Sequence, residues 1–137
     1  MTRSRIEIAR ESIDAWNRRD VEWLVETASP DFEFVPLIAS SVEGEAGVVR
    51  GSEEFRRFFV ELDETWEVFH LETEEMEEVG DAVLVRSHLQ AKGRGSGVEL
   101  DQPLFSLLRF EGDVPVSLQG FADRESALAA AGEEVRG

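Results

Sequence analysis

The sequence predicts an α+β fold, and two observations lead to this expectation. Apolar residues recur at helical spacing early in the chain, first over residues 4–18 and again after Ser52. From Trp66 onward the spacing changes to the alternation of strands, interrupted by short turns rich in glycine and aspartate. Helices grouped before a run of antiparallel strands are typical of the α+β class.

N-cap residues mark the first two helices. Ser4 followed by Glu7 forms a capping box, and the apolar stripe after it predicts a helix over residues 4–18. Asp20 is expected to cap a short second helix, which Pro30 ends.

A short strand and a third helix follow. Residues 32–36 alternate and predict the first strand, whereas residues 37–51 show no period and are predicted to form a loop. Ser52 is expected to cap the third helix. Four apolar residues fall on one face of this helix: Phe55, Phe58, Phe59 and Leu62.

A meander of antiparallel strands is predicted after the third helix. Its strands are expected over residues 66–79, 82–92, 98–110 and 114–122. The alternation slips near Val68, which predicts a β-bulge in the first of these strands.

An alanine-rich helix over residues 124–131 is predicted to close the chain, with Gly132 at its end. Asp123 is interpreted as the N-cap of this helix, because its residue type and position fit a cap. The alternative places it as an acid at the mouth of a pocket.

The hairpin at Gly95 and Ser96 determines which side chains face inward. Centring the turn there pairs Lys92 with Glu99, whereas a slip by one residue would pair Lys92 with Val98 and mix the two faces. The preferred register gives these inward pairs: Val83 with Leu108, Val85 with Ser106, Ser87 with Leu104, and Leu89 with Gln102.

The next turn is predicted to hold three residues, 111–113. It would pair Leu108 with Val116, and Ser106 with Leu118. The outer face of the meander then carries Phe105, Leu107 and Phe121 beside charged groups. A monomer would leave these apolar groups in water, which favours a homodimer through this face.

Composition limits the function. The chain has 137 residues, which fits one domain over residues 1–137, and 30 acids against 14 bases give a formal net charge of −16. Such a charge repels nucleic acid and anionic membranes. No apolar stretch approaches the ~20 residues of a membrane helix. We expect a cytoplasmic protein without nucleic-acid or membrane partners.

Missing residue types exclude several chemistries. Without cysteine there are no disulfides or thiolate metal sites, and without tyrosine no phenol can act as acid or oxyanion donor. The two histidines, His70 and His88, lie on separate strands and lack the spacing of metal ligands. We expect no metal and no cofactor.

Three segments carry a resemblance to a known family. Residues 15–20 read Ala-Trp-Asn-Arg-Arg-Asp, residues 50–51 read Arg-Gly, and residues 123–128 read Asp-Arg-Glu-Ser-Ala-Leu. With the order of elements, they resemble the nuclear transport factor 2-like superfamily and its SnoaL-like branch. The resemblance implies a cone-shaped α+β barrel: a strongly curved antiparallel sheet wrapped around the N-terminal helices. It further implies a pocket at the open end, and homodimers through the outer sheet face.

The resemblance does not carry over the known chemistries of the superfamily. The carboxylate base of the ketosteroid isomerases would fall at Val35 or Pro36, and their tyrosine is absent. The groups used by epoxide hydrolases of this fold would fall at Ser87, Leu89 and Gly120. All three groups are therefore lost. The polar groups left on the inner face of the meander are Ser87, Ser106 and Gln102, and none is a good base at neutral pH unless a neighbour activates it.

Three functions remain open. The first is a homodimeric protein that binds a small hydrophobic or weakly polar molecule in a mostly apolar pocket. The second is a lyase, isomerase or cyclase of polyketide-cyclase or ketosteroid-isomerase type that uses Glu33, Asp31 or Asp101. The third is a non-enzymatic interaction module with a closed cone. The expected pocket residues are Trp16, Phe34, Phe55, Phe59, Trp66, Ser87, Leu89, Gln102, Leu104, Ser106, Leu118 and Gly120.

The histidines have two interpretations each. His88 and Asp101 share the outer face and are expected to form an exposed or interfacial polar pair, with a general base as the alternative. His70 is expected to be solvated, with a place at the pocket mouth as its alternative.

Overall fold

The structure, a computed structural model, describes residues 4–36, 48–95 and 97–136, without the side chains of 133–136. These ranges contain four helices: α1 (Arg5–Asn17), α2 (Val21–Thr27), α3 (Gly51–Thr65) and α4 (Arg124–Arg136). They also contain six strands: β1 (Glu33–Val35), β2 (Val49–Arg50), β3 (Trp66–Val79), β4 (Ala82–Gly93), β5 (Glu99–Glu111) and β6 (Val114–Phe121).

The strands form one curved, open sheet in the order β2-β1-β6-β5-β4-β3. The predicted α+β cone is confirmed. Two details differ from the prediction: the sheet does not close into a barrel, and β1 runs parallel to β6 rather than antiparallel. β2 lies in a stretch predicted to be loop, and residues 37–47 of that predicted loop lie outside the described residues.

The predicted caps of three helices are confirmed. The side chain of Ser4 accepts a hydrogen bond from the backbone N–H of Glu7, and that of Asp20 accepts one from Trp23. Asp123 accepts one from the N–H of Ser126 at 2.7 Å, which makes it the N-cap of α4.

Two helix boundaries differ from the prediction. Ser52 does not cap α3, because that helix begins one residue earlier, with Arg50 at the N-cap position and no side-chain cap bond. The backbone of Gly51 has a φ of +76°, which glycine adopts without strain. Gly132 does not end α4. The helix continues through Gly132 to Arg136, and the backbone of Gly132 does not adopt the positive φ of a C-terminal cap.

The register of β4 and β5 is the predicted one, with Lys92 opposite Glu99 and Ser87 opposite Leu104. The irregularity expected near Val68 is confirmed between Trp66 and Val68. A second irregularity, between Thr73 and Glu75, was not predicted.

The predicted register of β5 and β6 is wrong by two residues beyond an unexpected bulge. Leu108 lies opposite Leu118, and Ser106 lies opposite Gly120. The pairing of Glu111 with Val114 leaves a two-residue turn, and the register then shifts between Arg109 and Phe110. A shift of two residues preserves the alternation, so Leu118 and Gly120 still face inward.

The inner face of the sheet packs against α1, α2 and α3, whereas α4 covers part of the outer face. Phe105 and Leu107 are buried there against Ala127 and Ala131 of α4, and Phe121 packs against the same cluster. The expectation that these apolar groups face water in a monomer is therefore wrong, and α4 removes that argument for a dimer.

Candidate functional site

Two cavities lie between the helices and the inner face of the sheet. The larger cavity measures about 130 Å³ and the smaller about 60 Å³. Both are lined mainly by carbon atoms. Four residues line both of them: Ile13, Trp16, Ser106 and Leu118.

Eight of the twelve residues predicted to form a pocket line the larger cavity: Trp16, Phe34, Trp66, Leu89, Leu104, Ser106, Leu118 and Gly120. Phe55 lines the smaller cavity instead. Phe59, Ser87 and Gln102 line neither. Phe59 packs in the core with its ring 4.8 Å from that of Trp16, Ser87 is buried, and Gln102 is half-buried opposite Leu89.

Two side chains at the turn between α1 and α2 hold Trp16 in place. The amide of Asn17 donates to the carbonyl of Leu71 at 2.8 Å and accepts from its N–H at 3.0 Å. Arg19 donates to the carbonyls of Trp16 and Phe69, both at 2.8 Å. Because these bonds fix the end of α1 against β3, the indole of Trp16 is directed into the hollow of the sheet.

Trp16 is the centre of an aromatic cluster. Its ring makes an edge contact with Phe34 at 5.5 Å and further contacts with Phe55, Phe58 and Phe69. Edge contacts of this kind contribute about 0.5–1.5 kcal/mol each beyond the area they bury. The cluster therefore gives the larger cavity a firm aromatic wall.

Two buried polar atoms lack a hydrogen-bond partner among the described residues, the Nε1 of Trp16 and the Oγ of Ser87. A buried unpaired group of this kind costs about 1–3 kcal/mol. Trp16 lines both cavities, so this unpaired donor belongs to a residue of the hollow.

Glu61 was missed by the sequence reasoning. It is the single ionisable side chain that lines the larger cavity within the described ranges, and none lines the smaller one. Glu61 follows Phe58 by three residues, so both share one face of α3. This spacing was a usable signal, because it puts a carboxylate beside the predicted apolar stripe.

The smaller cavity carries hydroxyl groups that were also missed. Ser12, Thr27, Ser29 and Ser52 line it together with Pro115. The four hydroxyl residues come from α1, the end of α2 with the segment that follows it, and the start of α3, whereas Pro115 comes from β6. Their convergence depends on tertiary packing, which no local pattern reveals.

The carboxylates proposed from sequence as catalytic lie outside both cavities. Glu33 forms an ion pair with Arg50 at 2.7 Å, and Asp31 is exposed. Asp101 pairs with His88 on the outer face of the sheet.

His70 is exposed and lies opposite Gln90. The solvated position expected for it is confirmed, and the alternative place at the pocket mouth is not.

The resolved pKa shifts belong to surface groups. Hydrogen bonding from the backbone N–H of Ser126 lowers the pKa of Asp123 below its usual value. The guanidinium of Arg56, bonded to Glu22 at 2.8 and 2.9 Å, lowers the pKa of that carboxyl. Neither group lines a cavity, so these shifts reflect local structure rather than chemistry at the site.

Metal and membrane features are absent from the part of the chain that the structure describes. It contains no group of three or more acidic, histidine or cysteine side chains placed to hold a metal ion. Nor does it contain a helix with the length and apolarity needed to span a membrane.

An open curved sheet packed over three helices, with an apolar hollow between the layers, defines the nuclear transport factor 2-like class of folds. The family model of the SnoaL-like domain matches residues 9–114. The chain belongs to the SnoaL-like domain family.

Solved structures share this fold over nearly the whole chain. A nuclear transport factor 2-like protein of unknown function from Burkholderia pseudomallei is 21% identical with a TM-score of 0.76, over 98% of this chain and 97% of that one. A putative SnoaL-like polyketide cyclase from Jannaschia is 21% identical with a TM-score of 0.71, over 96% of each chain.

A third structure contains a small ligand. It is a protein with a ketosteroid isomerase-like fold from Catenulispora acidiphila, in complex with trimethylamine, 21% identical with a TM-score of 0.72 over 92% of each chain. No curated relative matches the sequence. At these identities the likeness to solved structures establishes the fold alone.

Proposed function

We propose that this SnoaL-like protein binds a small, mostly apolar molecule in the larger cavity. The unpaired N–H of Trp16, buried at the wall of an aromatic hollow, is the observation that carries the proposal. An apolar cavity of about 150 Å³ binds benzene, and the larger cavity, at about 130 Å³, is close to that size, which favours a ligand of about one ring. The neighbour in complex with trimethylamine supports a ligand of small size.

Trp16 and Ser106 give the ligand its orientation. The indole N–H donates to one acceptor, such as a carbonyl oxygen, while the hydroxyl of Ser106 donates or accepts within the same hollow. Ser87 and Gln102, expected from sequence to serve this purpose, do not line a cavity and are not part of the proposed site. The proposed ligand is therefore a compact ring with one hydrogen-bond acceptor.

Binding is tested with acetophenone, a ring that carries one carbonyl, by thermal unfolding and calorimetry. A ligand that binds the folded state raises the melting temperature by mass action. Leu104→Phe fills the larger cavity and is expected to abolish the shift. Leu128→Phe makes the same substitution in α4, away from both cavities, and is expected to retain the shift in melting temperature. Binding that survives Leu104→Phe would contradict the proposed site.

Glu61 supports a second candidate function, an isomerase, lyase or cyclase. Its carboxylate would take a proton from the carbon beside a ketone, and the resulting enolate oxygen would accept a hydrogen bond from the N–H of Trp16. Return of the proton to carbon completes the cycle. Two solved neighbours described as putative polyketide cyclases support chemistry of this class.

Deuterium exchange tests this second function. In D₂O, the protein is expected to speed the exchange of the α-hydrogens of cyclohexanone, measured by NMR. Glu61→Gln is expected to remove the exchange while ketone binding persists, and Glu64→Gln, an exposed substitution on the same helix, is the control. Equal exchange in both variants would show that Glu61 is not the base, and no exchange above the protein-free rate would leave the protein a binder without this chemistry.

The two cavities weigh against the third function, an interaction module with a closed cone. A homodimer stays a prediction, and α4 now restricts it to the uncovered part of the outer face. That part carries exposed Val68 and the pair of His88 with Asp101. Sedimentation equilibrium of the full chain, with Val68→Glu as the disruptive variant, tests it. The cytoplasmic location also stays a prediction, which cell fractionation checks.

A further inference from the structure

We infer that the two cavities are halves of one passage through the cone, and that Ile13 limits the length of the ligand. This inference rests on the proposed function, since it concerns the same hollow. Ile13 and Trp16 from α1, with Ser106 and Leu118 from the sheet, line both cavities. These four residues therefore form the boundary between the two halves.

The burial of Ile13 supports this placement. On the inward face of α1, Ala9 and Trp16 are buried, whereas Ile13 between them is half-buried. Since Ile13 lines both cavities, part of the surface that it keeps borders them. Leu118 of the sheet is also half-buried and also lines both. Both side chains therefore border the hollow instead of filling a close-packed core.

Ile13 also lies where two parts of the core meet. It packs against the aromatic cluster around Trp16 and against a second cluster that contains Ile8 and Val85. Trp16 contacts the rings of five other aromatic residues, and its removal would disturb the core. Ile13 is not one of these rings, so shortening its side chain leaves the ring-to-ring contacts in place, and it is the adjustable part of the wall.

The lining of the smaller cavity determines what can extend past Ile13. Its polar groups are the hydroxyls of Ser12, Thr27, Ser29 and Ser52, with Ser106 at the wall, and no charged side chain lines it in the described ranges. Hydroxyls without a countercharge suit a neutral polar end group and not an ion. The extended ligand class is therefore an unbranched neutral amphiphile, such as a linear alcohol.

A series of 1-alkanols, from 1-butanol to 1-decanol, measures the length limit by calorimetry. Each methylene that enters an apolar site raises affinity about fourfold. In the natural protein this gain is expected to stop when the chain reaches Ile13. In Ile13→Ala the gain in affinity is expected to continue for at least two more carbons. Alkanoates of the same chain lengths are expected to show no such gain in affinity in this variant.

The control is the same substitution on the same helix. Ile8 is buried, and Ile8→Ala opens space in a core cluster without lining either cavity. In Ile8→Ala the affinity is expected to stop rising at the same alkanol length as in the natural protein. Where an alanine variant fails to fold, Ile13→Val and Ile8→Val replace the pair, with an expected shift of one carbon for Ile13→Val only.

The outcomes separate the inference from the proposed function. Alkanol binding with the same limit in Ile13→Ala and the natural protein, or an equal shift in Ile8→Ala, overturns the role of Ile13 and leaves the binding site intact. Absence of binding by acetophenone and by every alkanol overturns both.

Discussion

At the residue scale, Trp16 is the centre of the proposed binding site. Asn17 and Arg19 bond to the backbone of β3, and these bonds fix the position of Trp16. The indole N–H of Trp16 is buried and has no hydrogen-bond partner among the described residues. Proteins rarely leave a buried donor without a partner, because the group gives up its hydrogen bond to water on folding. An acceptor in the ligand offsets that cost, which links the packing of this tryptophan to selectivity.

Trp16→Phe keeps an aromatic ring and removes the donor. We expect it to weaken acetophenone binding about 5- to 10-fold, the equivalent of one hydrogen bond, and to leave isopropylbenzene, which lacks the carbonyl, unchanged. Titration calorimetry with both compounds measures the difference. Trp23→Phe, on α2 and outside both cavities, is the control. Equal losses for both compounds would show that packing, not the donor, was changed.

Glu61 shows why the site was only partly predictable. Aromatic residues such as Phe34 and Trp66 were expected at the hollow because apolar periodicity marks the inward face of each element. The spacing from Phe58 places Glu61 beside the apolar stripe, but a polar residue at the edge of a stripe usually faces solvent. Only the tertiary structure shows that the apolar face of α3 ends at a cavity.

At the element scale, α4 is a cover for the sheet. Ala127 and Ala131 lie against Phe105 and Leu107, and the guanidinium of Arg109 donates to the carbonyl of Ala130 at 3.0 Å. The alanines are small enough to let the helix approach the strands closely. The alanine-rich sequence predicted the helix but not its partner, because a small-residue stripe has little amphipathic signal.

Ala127→Glu is expected to displace this cover. A charge forced against Phe105 and Leu107 is expected to cost about 2–3 kcal/mol in the free energy of unfolding, and to expose apolar surface. Urea unfolding and binding of the dye ANS measure both effects. Ala129→Glu, on the exposed face of the same helix, is expected to change stability by no more than about 0.5 kcal/mol. Similar values for the two variants would contradict the packing of α4.

The N-cap of α4 gives a pH dependence. Folding lowers the pKa of Asp123, so its negative charge stabilises the folded state. This contribution is fully present at pH values above the ordinary aspartate pKa of about 3.9, and it is lost as the pH falls through the lowered pKa. Asp123→Asn keeps a capping oxygen without the charge. We expect it to melt slightly below the natural protein at neutral pH and level with it in strong acid. A difference that persists in acid would contradict the assignment.

The strands show how far local signals reach. The glycine-containing turn between β4 and β5 predicted their register correctly, because a short hairpin joins two strands that are adjacent in the sequence. The predicted pairing of β5 with β6 was wrong because no pattern in the sequence indicates the register shift between Arg109 and Phe110. The parallel contact of β1 with β6 depends on the path of the chain between distant segments, which local patterns do not contain.

At the scale of the whole molecule, the net charge of −16 opposes the compact state. Many of the acids lie on the exposed face of β3, and several pair with bases, as Glu77 does with Arg124 and Glu74 with Arg86. With more than twice as many acids as bases, most carboxylates cannot be paired.

Added salt is therefore expected to stabilise the protein. Raising NaCl from low concentration to about 1 M shortens the screening length to about 3 Å and weakens the repulsion among carboxylates. We expect the melting temperature to rise by several degrees, as measured by circular dichroism. A fall in melting temperature would indicate that ion pairs outweigh the repulsion.

The amide of Asn17 meets both the N–H and the carbonyl of Leu71 on β3, an edge strand, and so takes the place of a neighbouring strand for one residue. Arg19 occupies the carbonyl of Phe69 two residues away. A second molecule cannot pair its own strand with this part of β3 without first breaking these bonds. The two register irregularities in β3 also interrupt the regular backbone pattern that a docking strand needs. The turn that positions Trp16 thereby opposes growth of the sheet from copy to copy over this edge.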